Sequence, residues 1–169
     1  QSIDDLIGYW DQRTRANGSE RPPLFAFLNL MGAHLPYRPP AETLRRIDPE
    51  ISRDRAAQHF MRRFNADAAR WASPDEPPLD DWQRHIVETY YDAEIAAQDE
   101  HLGRLLRHLE ITGALENTLV IILADHGEGH GDHGFFGHSF VVYQELVHVP
   151  LIIHDPRRPA AHRVADSVS

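Results

Sequence analysis

Apolar residues fall along the chain in three short runs and one long stripe. The first run, PLFAFLNLM (Pro23–Met31), follows a proline and is almost continuously apolar. It predicts a strand buried on both faces, as in the middle of an α/β sheet. GAHLPYRPP (Gly32–Pro40) follows, and its glycine and prolines make it a loop. Residues 41–81 are polar; they predict a weak helix over Pro49–Arg70 and a linker that ends in SPDEPPLDD.

The long stripe lies in DDWQRHIVETYYDAEIAAQDEHLGRLLRHLEITG. Val87, Tyr91, Ile95, Leu102, Leu105 and Leu109 recur at spacings of three, four and seven, one face of an amphipathic helix that Gln98 interrupts. Asp80 with Gln83 predicts a capping box at its start, and Gly113 a stop at its end. Two further apolar runs, NTLVIILA (Asn117–Ala124) and HVPLIIHDP (His148–Pro156), predict strands. Strand, long helix and strand imply a right-handed crossover. The expected fold is therefore α/β, with a mainly parallel sheet flanked by helices. The segment 1–169 reads as a single partial domain with its core in 23–155 and a polar tail over 156–169, part of something longer.

Composition narrows the function. The 169 residues carry 41% hydrophobic and 25% charged side chains, as in an ordinary globular domain. A formal net charge of −9 argues against nucleic acid as the main partner, since phosphate backbones are bound by a surplus of lysine and arginine. It leaves room for a small anionic substrate, because a bound metal reverses the field locally. No apolar run approaches the roughly 18 residues that span a bilayer, and QSIDDLIGYW lacks the basic start and apolar middle of a signal peptide. With no cysteine, disulfides, thiolate metal sites and a cysteine nucleophile are absent from this chain.

Candidate chemistry concentrates in VIILADHGEGHGDHGFFGHSF (Val120–Phe140), which holds His126, His130, His133 and His138. Ligands bind where the strands of α/β sheets deliver their carboxyl ends, and Asp125 and His126 stand at that point. A carboxylate beside an imidazole is a reasonable half of a divalent metal shell. The glycines of the loop allow positive φ and a close approach of the backbone to an ion or anion. A zinc-protease reading fails, because HGEGH has its glutamate one position late and glycines that oppose the helix H-E-x-x-H requires. A passive histidine-rich metal tract would not need delivery by a buried strand.

The ordered set ADHGE, GDHG, GH and YQELVHVPLII, preceded by YYDAEIAAQDEHLGRLLRHLEITGALENTLVII, resembles the C-terminal half of sulfatases within the alkaline phosphatase superfamily. LNLMGAHLPYRPP resembles their strand and loop with an H-x-P-Y/F-x-P pattern, so the resemblance runs through most of residues 23–155. It implies that Asp125 and His126 ligate a catalytic divalent metal: calcium first, with manganese, magnesium or zinc as alternatives. His34 matches a histidine that contacts the ester near its leaving oxygen. His138 falls where many sulfatases carry an active-site lysine. His133 is a weaker match, His130 reads as an exposed loop residue, and Glu128 as either a partner of a ligand or a solvated side chain. Tyr37, Arg38, Arg45 and Arg46 could shape an entrance or simply face water.

The implied partner is a small anionic ester. Many sulfatases carry aspartate and asparagine where this chain has Asp125 and His126, and the aspartate–histidine pair is common in phosphate and phosphonate ester hydrolases and phosphoglycerol transferases. Sulfate ester hydrolysis is the first reading, those reactions the second, and a non-catalytic metal-binding module the third. The family's nucleophile, a formylglycine in a C/S-x-P-S/A-R motif or a threonine or serine, has no counterpart here; ASPDE at Ser73 lacks the downstream arginine. The chain by itself is therefore expected to be inert. Relatives are often exported or membrane-anchored, but this segment encodes no membrane association.

Overall fold

The computed structural model describes residues 2–16, 22–67, 70, 78–134, 136–139, 141–158 and 160–165. Helix α1 (Ser2–Ala16) has Asp4 and Asp5 in its first turn and Arg13 and Arg15 in its last, each sign matched to the helix dipole. This helix has no counterpart among the elements expected above, although Ile3, Leu6, Ile7 and Trp10 follow helical spacing. That face packs on Leu105 and Leu109 with Leu28 and Leu30, forming the smaller of two apolar clusters.

The weak helix expected over Pro49–Arg70 is present in pieces. Helix α2 (Ala41–Ile47) leads into α3 (Pro49–Arg53) and α4 (Arg55–Ala66). Aspartates set the breaks: Asp48 accepts the amides of Glu50 and Ile51, and Asp54 accepts that of Ala56. Ala57, Met61 and Phe64 recur at four and three along α4 and are fully buried. Much of the expected linker, residues 71–77 with Ser73, lies outside the described residues.

Helix α5 (Asp81–Ile111) is the long helix of the sequence pattern. Asp80 and Gln83 close the predicted capping box, and Gly113 follows the helix at φ 67°, a left-handed conformation that favours glycine. Its buried face differs in the middle from the expected stripe: Thr89, Ala93 and Ala97 are buried while Ile95 is exposed. Among the described residues, no helix is long and apolar enough to cross a membrane.

The strands depart from expectation. Strand β1 (Val120–Leu123) pairs antiparallel with β4 (Leu151–His154), Val120 opposite His154 and Leu123 opposite Leu151. Helix α6 (Gln144–Val147) precedes that return. Strands β2 (Gly129–His130) and β3 (Phe136–Gly137) form a second antiparallel pair inside the histidine loop. Among the described residues no strands pair in parallel, and the expected crossover is not seen. Apolarity on both faces predicts that a run is a strand but carries no information about its direction.

Residues 23–31 likewise are not a buried strand here. Leu24, Leu28 and Leu30 turn inward, while Phe25 and Phe27 are 89% and 81% exposed. The alternation of an extended chain is present, but the segment has no hydrogen-bonded neighbour among the described strands. A strand buried on both faces requires such neighbours.

The larger core joins Tyr37, Ile51, Met61, Phe64, Leu79, Ile86 and Val87 to Phe136. Phe136 stands edge-on to Phe64, ring centres 6.0 Å apart, so the histidine loop is seated in the helical core. His130, expected to be exposed, is half-buried: its ring lies 4.6 Å from that of Tyr91, and Nε2 is 3.4 Å from the Tyr37 hydroxyl. Burial pushes its pKa below 6.5, against the opposing pull of Asp132 and Asp92.

Phe136→Ala should destabilise the chain by about 3–5 kcal/mol, the usual cost of emptying a buried phenylalanine site, and Phe25→Ala by less than about 0.5 kcal/mol; urea unfolding followed by circular dichroism measures both. His130 sets a direction with pH. Its folded pKa lies below 6.5, so it costs nothing above that value, and stability falls as pH drops from 6.5 through the folded pKa, where the unfolded chain binds the extra proton. His130→Gln should flatten that fall in unfolding curves measured across the same window.

Candidate functional site

The four side chains assigned from sequence are brought together. Asp125 and His126 follow β1 directly, His34 sits in the loop 32–40, and His138 follows β3. The rings of His126 and His138 are 4.2 Å apart, and His34 lies 4.9 Å from His138 and 6.3 Å from His126.

Each ring is tethered through Nδ1. In His34, Nδ1 is 2.6 Å from the Leu35 carbonyl oxygen, and in His126 it is 2.9 Å from the Gly127 carbonyl oxygen. A carbonyl only accepts, so in both rings Nδ1 carries the proton and Nε2 is left for something else. In His138, Nδ1 is 2.9 Å from Glu128 Oε1. Among the described residues, no hydrogen bond occupies Nε2 of His34 or His138.

His126 Nε2 is 3.9 Å from Asp125 Oδ2. Asp125 accepts the His126 amide at 3.1 Å, and its side chain is 90% exposed. An imidazole lone pair and a carboxylate at that separation fit an ion held between them. The donation of the other ring nitrogen to a backbone carbonyl is the usual companion of a metal-bound histidine.

Glu128, which the sequence leaves as either a partner of a ligand or a solvated side chain, is buried beside His138. Its side chain is 2% exposed, and Oε2 has no partner among the described residues. Burial raises its pKa above 4.5, with His138 pulling the other way. His126, Glu128 and His138 offer ligand atoms that all lie within 4.8 Å of one another, so a second donor set overlaps the Asp125–His126 pair. The signal that could have found Glu128 is the hairpin register, since with Gly129 opposite Gly137 the next facing pair is Glu128 and His138.

Other histidines and polar residues lie apart from this group. His133 stacks on Tyr143 at 3.9 Å and approaches Glu145 at 3.4 Å, which ties it to α6. His148 and His154 are exposed beyond α6 and on β4. Tyr37 is buried in the core, its hydroxyl pKa raised by burial and further by Glu128. Arg46 is ion-paired with Glu100. The loop is anchored at its start by Gly127, whose amide donates to the Leu146 carbonyl at 2.8 Å; a Cβ there would collide with the Glu145 carbonyl oxygen.

The chain has relatives. A family model described as sulfatase matches residues 4–169. The N-acetylglucosamine-6-O-sulfatase of Bacteroides thetaiotaomicron is 36% identical over 88 residues, covering 52% of this chain and 16% of that protein. Iduronate 2-sulfatase of Homo sapiens is 28% identical over 154 residues, 82% of this chain and 28% of its own length. The multifunctional alkaline phosphatase superfamily protein PehA of Trinickia caryophylli is 28% identical over 160 residues, 84% of this chain and 30% of its own. The solved phosphonate monoester hydrolase from Silicibacter pomeroyi matches with a TM-score of 0.65 at 27% identity, over 92% of this chain and 33% of that one. The chain thus spans 16–30% of the length of these three curated relatives. By a family match from its first helix to its last residue, this chain belongs to the sulfatase family of the alkaline phosphatase superfamily.

Proposed function

We propose that this chain forms one wall of the active site of a metal-dependent hydrolase that cleaves sulfate esters. The observation that carries the reading is the trio His34, His126 and His138, gathered within 6.3 Å of one another and tethered through Nδ1, next to Asp125. Asp125 and His126 hold a divalent ion, calcium, manganese, magnesium or zinc, which supplies a positive centre for a non-bridging oxygen of the ester. His34 and His138 turn Nε2 to the anionic group. An imidazole that carries a second proton at Nε2 binds such an oxygen and can deliver that proton to the departing alkoxide. The nucleophile and the remaining acidic ligands belong to sequence outside this chain, so the 169-residue chain alone turns nothing over.

The exposed Phe25, Phe27, Ile121 and Leu123 support the view that residues 23–31 and β1 belong, in the whole domain, to a mainly parallel sheet with further strands. Two features favour phosphonate or phosphate esters as the second reading: a histidine rather than asparagine beside Asp125, and the match to the phosphonate monoester hydrolase. Sulfate is placed first because the matching family model is sulfatase and two of the four relatives are named sulfatases.

Calorimetric titration of this chain with manganese or calcium should give a dissociation constant weaker than about 1 µM, since two protein ligands fall short of the three or four of a tight site. Asp125→Ala or His126→Ala should abolish the heat; a signal that survives both changes overturns the assignment. The same chain should release no product from an aryl sulfate. In the complete catalytic domain, parallel assays of an aryl sulfate and an aryl phosphonate monoester separate the two readings.

A further inference from the structure

Among the described residues, Glu128 is the one acidic side chain buried at the site, and the trio does not itself explain it. A carboxylate withdrawn from water is costly unless a partner offsets the loss. Its one hydrogen bond among the described residues is to His138 Nδ1, at 2.9 Å. The hairpin enforces that bond. Gly129 pairs with Gly137 and His130 with Phe136, so Glu128 and His138 are the next residues across the ribbon, and the buried Phe136 fixes the register. Gly137, at φ 88°, places no side chain between them.

Resting on the reading of the site as an ester-cleaving centre, we propose that Glu128 is a positioning residue whose carboxylate accepts the Nδ1 proton of His138 and so turns Nε2 of that ring to the ester. Carboxylate, imidazole and substrate then stand in line, with the carboxylate holding both the tautomer and the ring plane, as a buried acid does behind a catalytic histidine in other hydrolases. His34 and His126 obtain the same tautomer from backbone carbonyls. His138 follows Gly137 at the end of β3 and obtains it from a side chain.

The test is the position of the His138 ring proton in this chain, labelled with nitrogen-15 in histidine and read from two-bond proton–nitrogen correlations, with the amide spectrum as the check of folding. A proton on Nδ1 is the expected result in the native chain. Glu128→Ala should lower the Nδ1-protonated population about tenfold, the worth of one hydrogen bond to a charged group. Glu128→Gln, whose side-chain oxygen accepts the same proton, should retain it. A native His138 protonated on Nε2 alone overturns the proposal, as does a tautomer indifferent to Glu128→Ala. If the alanine variant does not fold, the native and glutamine spectra decide. No ion or ester is needed, so a failed metal titration would count against the proposed function and leave this result standing.

Discussion

The seating of Phe136 in the helical core is the contact on which the rest of the site depends. Residues 127–134, between β1 and β3, are all glycine, histidine or acidic and offer no apolar side chain with which to hold a shape. One aromatic ring, packed against Phe64 and the buried face of α4 and α5, supplies the anchor. The two short strands around it fix a register, and the register sets Glu128 opposite His138. The ordering of the histidine loop thus rests on helix packing, which offsets the entropy lost in fixing so many glycines.

Charge is arranged in the same economical way. The chain is strongly acidic overall, yet three imidazoles stand close to the buried carboxylate of Glu128, and the exposed Asp125 lies at the edge of the site. Two of the rings are oriented by carbonyls of adjacent residues, which costs no additional side chain. The acid at position 128 is spent on the third. A site of this kind presents lone pairs or protons on one side and hydrogen-bond acceptors on the other, a polarity suited to an anionic group.

Much of this was legible in the sequence, and the gaps have physical causes. The long helix could be read because its capping box, its stripe and its glycine stop all agree. Asp125 and His126 stand out at the end of an apolar run, and His34 and His138 through the family resemblance; the structure brings these four side chains near one another. Strand direction was not legible, since Val120–Leu123 and Leu151–His154 would be equally apolar in either orientation. Helix α1 was overlooked because its apolar face is short and interrupted by charges. The burial of Glu128 and His130 depends on a two-residue pairing that composition does not encode.

Gly127 has a mechanical consequence. Its amide is bonded to the carbonyl of Leu146, and the backbones there approach too closely to admit even a methyl group. The stem that carries Asp125 and His126 is therefore spliced to α6, and the two travel as one piece. A displacement of that short helix would thus be felt at Asp125 and His126, two and one residues before the splice.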